Sequence, residues 1–171
     1  MTAGTFMPLA AATLLAAGAA HAADGKRSVE AEALIPAPPA AVLQAFLGEA
    51  ELSGWWQTTR SLVEPEAGGV WSIAWDDWGE EKSQHAWTGT IETLDEKRLV
   101  IANMVMMEPD MPLLGPMRLE LRVEAEGEGT RLHVSHGGYG YGDHWDEMYA
   151  LVVNGWDHVL GDLAEWATEE Y

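Results

Sequence analysis

Cysteine is absent from the 171 residues. That removes disulfides, a thiol nucleophile and thiolate metal ligands together, so the core must hold by packing alone. Phenylalanine is scarce, two residues against nine tryptophans. Positive charge is scarce as well: nine Lys and Arg against 28 Asp and Glu give a formal net charge of −19. Nucleic acids and anionic membranes are met through Lys and Arg, so such a surface disfavours both. No apolar run reaches the roughly 20 residues that cross a bilayer. Catalytic signatures are missing too. No Gly-x-Ser-x-Gly elbow and no His-x-x-x-His spacing occurs. Gly138-Tyr139-Gly140-Tyr141-Gly142 lacks the Lys and Ser or Thr of a phosphate loop and reads as a flexible approach to the last helix, with Tyr139 and Tyr141 at the rim of a cavity.

What is present begins with a leader. Leu9 to Ala20 is a short run of small and apolar residues, then come Ala20-His21-Ala22 and polar Asp24-Gly25-Lys26-Arg27. The small-x-small pattern reads as an export signal cleaved after Ala22. Residues 1–22 are then a signal peptide, 23–28 a short linker and 29–171 one domain, periplasmic or secreted, with no integral membrane segment after cleavage. Only the α-amino group supplies positive charge ahead of the run, which leaves a packed N-terminal helix as the structural alternative. An apolar content of 47 % is ordinary for one globular core.

Periodicity places the elements. Val29, Ala31, Ala33 and Ile35 alternate with Glu30, Glu32 and Leu34 and read as a first strand. Pro36-Ala37-Pro38-Pro39 stops it and opens a helix with Val42, Ala45 and Phe46 on one side, ended by Gly48. Leu52 to Trp56 reads as a second short helix. Strands follow at Ser61–Glu64, Trp71–Trp75, Trp87–Glu92 and Leu99–Met106, the last apolar on both faces except at Asn103. Met117, Leu119, Leu121 and Val123 alternate strictly with Arg118, Glu120, Arg122 and Glu124, the cleanest strand of the chain, and Gly127-Glu128-Gly129 turns it into Thr130–His136. Asp143 then stands as an N-cap. Trp145, Met148, Tyr149, Val152, Trp156, Val159, Leu160 and Leu163 recur at helical spacing along one long apolar-faced helix.

Several segments in this order resemble the SRPBCC (START-like, Bet v 1-like) superfamily, and within it the activator of Hsp90 ATPase homologue branch. They are Ile35-Pro36-Ala37-Pro38-Pro39, Trp55-Trp56, Gly68-Gly69-Val70-Trp71, Gly89-Thr90-Ile91-Glu92 with Leu99-Val100, Gly129-Thr130-Arg131-Leu132, His136-Gly137 and Gly155-Trp156. The resemblance implies an α+β helix-grip fold: a curved antiparallel sheet of six to seven strands around a long C-terminal helix, two short helices after the first strand, and an apolar cavity between sheet and helix. It implies no single activity, since a shared fold does not carry a shared function.

A cavity ligand would then meet Trp71, Trp75, Trp87, Met104, Met106, His136, Trp145, Tyr149, Val152 and Trp156. His136 shares a strand face with Leu132 and Val134; there it either meets a ligand's polar group or is satisfied by backbone, the commoner fate of buried polar groups. Ser135 points to the opposite face and cannot pair with it. His85, His136, His144 and Asp143 could converge on a metal only through the fold, and none is expected. The methionines around Met104–Met117 suit either Cu(I) or an adaptable pocket with a lid at Glu108–Pro116, and the second is the plainer reading. The acidic turn Asp76–Glu81 reads as exposed, although a desolvated carboxylate pair there could do acid–base work.

Three functions compete. The first is a non-enzymatic binder of a small apolar or amphipathic molecule, with no cofactor. The second is a cyclase- or hydrolase-like enzyme using His136 with Asp143 or Tyr141. The third is a co-chaperone of an ATP-driven partner, which an export signal opposes. The first is expected; its protein partners, if any, are unknown.

Overall fold

The computed structural model describes residues 26–78 and 82–171. The expected signal peptide and residues 23–25 of the linker lie outside the described residues, as do Gly79 to Glu81 of the acidic turn; Arg27 and Ser28, expected in the linker, belong to the first strand. Strand β1 (Arg27–Ile35) leads into helices α1 (Pro39–Ala45) and α2 (Glu49–Trp55). Six strands follow: β2 (Arg60–Val63), β3 (Val70–Trp78), β4 (Ser83–Leu94), β5 (Arg98–Met107), β6 (Leu114–Glu126) and β7 (Gly129–Tyr139). The chain closes on α3 (Asp143–Glu170). All seven strands form one antiparallel sheet in the order β1-β7-β6-β5-β4-β3-β2, with α3 packed against it, so the expected helix-grip architecture is present.

Alternation decides the inner face. Met117, Leu119, Leu121 and Val123 of β6 are buried, as are Thr130, Leu132, Val134 and His136 of β7. From α3 come Met148, Val152, Trp156, Leu160, Leu163 and Ala167, three or four residues apart, one stripe that runs almost the helix's whole length. The double-sided apolarity of β5 has its own cause. Its register with β6 shifts between Ile101 and Met104, where Asn103 adopts φ 51°. The extra residue switches the inward set from Leu99 and Ile101 to Met104 and Met106.

Three local expectations are corrected. Helix α1 ends at Ala45, and Gly48 is instead the N-cap of α2. At α3 the N-cap is Gly142, with φ 78°, a conformation suited to glycine; Asp143 follows it in the first turn beside Asp146, where both carboxylates face the positive helix end. The Gly138–Gly142 stretch is not all connection. β7 continues to Tyr139, which is fully buried, while Tyr141 is exposed.

Candidate functional site

α1 and α2 are riveted to the sheet by indole N–H groups. Trp55 donates to the Ala45 carbonyl, Trp71 to Phe46 and Trp75 to Trp56, each at 2.8 Å. These bonds draw the end of α2 over β3 and set Trp56 at the centre of an aromatic cluster. Trp56 stacks on Trp55 at 4.8 Å and meets Trp75 and Trp87 edge-on at 5.6 and 5.7 Å. Trp156 reaches it from α3 at 5.7 Å.

Between these rings lies a pocket of about 420 Å³. Trp55, Trp56 and Gln57 close it from α2, Trp75 from β3, and His85 and Trp87 from β4. Glu108 contributes from just beyond β5, and α3 adds Leu151, Val152, Gly155, Trp156, His158, Val159 and Asp162. Apolar walls with a few polar groups are what small-molecule sites commonly offer. A wider groove of about 1240 Å³ runs between α1, the β4–β5 turn and the end of β6. It is more open, carries Asp95, Glu96, Lys97, Arg98, Arg122 and Glu124, and has no aromatic wall.

The polar centre of the aromatic pocket is a relay. Glu108, its side chain 8 % exposed, accepts from the Trp87 indole at 3.0 Å on Oε1 and from His85 Nδ1 on Oε2. In the neutral ring His85 Nε2 then accepts from the Ser83 hydroxyl at 2.9 Å. Hydroxyl, imidazole and carboxylate stand in the order of a nucleophile–base–carboxylate relay. Ser83 itself is not part of the pocket wall, so the groups offered to a ligand are the imidazole edge and the carboxylate.

His136 lies behind this wall, fully buried. Its Nδ1 accepts from the Tyr139 hydroxyl at 2.9 Å and the Trp156 indole at 3.3 Å. The proton is therefore on Nε2, which has no partner among the described residues. Sequence reasoning expected backbone to satisfy this ring; two aromatic side chains do so, and only on one side. Burial pushes its pKa down to about 3, and burial raises that of Tyr139 well above the usual tyrosine value. A ring so placed stays neutral at ordinary pH.

Of the other residues expected at a ligand, Trp75, Trp87, Val152 and Trp156 border the pocket. Trp71, Met104 and Met106 are fully buried in the core away from it. Trp145 and Tyr149 pack around Tyr139 at 6.4 and 5.5 Å, at the start of α3. Asp143 and His144 are exposed there, so they and His85 do not converge. Asp76 is taken up by Arg60, which lowers its pKa, and by Thr59. Sequence reasoning missed the pairing of His85 with Glu108, 23 residues apart; the available signal was the β4–β5 hairpin, whose register sets Ala86 opposite Met107.

Among solved structures, protein CV1439 from Chromobacterium violaceum superposes with a TM-score of 0.65 at 20 % identity, over 82 % of this chain and 96 % of its own. Protein SA2116 from Staphylococcus aureus does so with 0.66 at 14 %, over 85 % and 95 %. CalU16 from Micromonospora echinospora gives 0.59 at 21 %, over 85 % and 78 %. At such identities the likeness is one of fold. No curated protein matches the sequence. The family model described as activator of Hsp90 ATPase homolog 1-like protein matches residues 36–168. The chain thus belongs to the activator of Hsp90 ATPase homolog 1-like family of the SRPBCC superfamily, whose fold binds hydrophobic ligands.

Proposed function

We propose that this protein is an exported, non-enzymatic binder of a small apolar or amphipathic molecule, held in the tryptophan-walled pocket between α2, β3, β4 and α3. The observation that carries the reading is the wall itself: five indoles around about 420 Å³, with polar groups confined to a few positions. Rigid aromatic rings give much contact area for little ordering entropy, which suits a pre-formed site. Export rests on the apolar run ending in Ala20-His21-Ala22.

Native mass spectrometry of protein purified from the periplasm tests both parts. A mass for Ala23 to Tyr171 carrying a discrete small-molecule adduct is expected. An uncleaved chain in the cytosol would sink export and restore the co-chaperone that the family's description names. A cleaved protein that stays empty, and takes up no added apolar compound, would sink the binding reading.

An acid–base role is the second reading, favoured by one observation: His85 and Glu108 pair directly on the pocket wall. It moves any catalysis away from His136, whose ring has no place at the surface. Turnover of a pocket ligand that vanishes in His85→Ala but survives His136→Leu would establish it.

A further inference from the structure

The pocket wall carries carboxylates but neither lysine nor arginine. Glu108 and Asp162 border it, and none of the nine Lys and Arg does. His85 and His158 are its remaining titratable side chains. Glu108 pairs with His85, which also meets the Ser83 hydroxyl, and Asp162 lies 3.6 Å from His158 one turn away on α3. Each oxygen of that carboxylate has one donor from the protein and room for a second.

The indoles point the same way. Trp55, Trp75, Trp87 and Trp156 each commit the indole N–H to a protein acceptor. What those four of the five indoles leave for a ligand is ring surface and not a donor. The face of an indole is the negative part of its quadrupole, so it attracts a cation and repels an anion. A third observation is global: a net charge of −19 raises the concentration of cations around the molecule before any contact is made.

From wall, rim and whole-molecule charge together we infer that the ligand is an organic cation, a quaternary or protonated amine on an apolar body. The body lies among the indoles and the charge lies against Glu108. A neutral apolar molecule would offer the Glu108 carboxylate no donor; an anion would meet two carboxylates with no Lys or Arg beside them. The inference rests on the reading of this pocket as the ligand site.

Three probes of matched shape separate the possibilities: phenyltrimethylammonium, its neutral isostere tert-butylbenzene, and benzenesulfonate. Each is titrated into the full chain at low ionic strength, with tryptophan fluorescence as the readout. The ammonium is expected to bind at least about tenfold more tightly than tert-butylbenzene, and benzenesulfonate not at all. Added salt should narrow the gap, as should Glu108→Gln or, on the rim, Asp162→Asn. The wild-type comparison decides even if a variant fails to fold. Equal affinity for the neutral isostere would overturn the charge preference and leave the pocket standing, and so would binding of benzenesulfonate. Binding of none of the three would overturn the pocket reading, and this inference with it.

Discussion

In the middle of α3, Gly155 forgoes the helix stability that a side chain would supply. A Cβ built there meets nothing within 4 Å, and the residue borders the pocket. On the proposed reading, the open space beside it is where a ligand sits. Gly155→Ala should therefore raise stability by about 0.5–1 kcal/mol, since glycine costs that much in a helix interior; urea unfolding measures it. His136 makes a second residue-scale prediction. Its folded pKa, about 3, lies below the ordinary value of 6.5, so between these the unfolded chain binds a proton that the native chain refuses. Its contribution is present above pH 6.5 and is lost as pH falls, by about 1.4 kcal/mol per pH unit. His136→Leu leaves the Tyr139 and Trp156 donors without an acceptor, so it should be less stable at pH 7. Its stability should also fall less steeply between pH 6 and pH 4, which a series of urea titrations would read. The strand face of His136 was legible from Leu132 and Val134. Its partners were not, because Trp156 is 20 residues away on another element.

At the scale of elements, Arg27 ties the first strand to the start of the last helix. Its guanidinium donates to the Gly140 carbonyl from Nε at 3.0 Å, pairs with Asp146 at 2.7 Å, and lies over the Tyr141 and Tyr149 rings. Arg27→Ala should cost about 1–3 kcal/mol, as expected for a charged group that also stacks on aromatic rings. Arg27→Lys should recover little, because an ammonium lacks the planar fork; thermal unfolding of the two variants checks this. α3 was legible in full outline, and β6 from Met117 onward, because period 3.6 and period 2 recur there without interruption; Leu114–Pro116, read as part of a loop, instead opens β6. β5 was not, since the bulge at Asn103 changes the inward parity midway. That shift is also why Met104 and Met106 reach the core and Glu108 the pocket. A strand reading that assumes regular alternation assigns neither.

For the whole molecule, the order of elements along the chain followed from the periodicities and the sheet gripping the long helix from the resemblance, whereas the position of the pocket followed from neither. Every indole in this chain could fill a core or line a cavity. What separates Trp71 from Trp75 and Trp87 is where α2 comes to rest, and hydrogen bonds from indoles to the α1–α2 backbone fix that. The account as a whole claims that the space beside Gly155 is a binding site. Nile red titrated into wild type and Gly155→Leu tests this most directly, with circular dichroism to establish that both are folded. The leucine side chain would occupy the pocket from the helix side. Saturable one-site binding by wild type, lost in a folded Gly155→Leu, is the predicted result. Equal binding by the two proteins would contradict it.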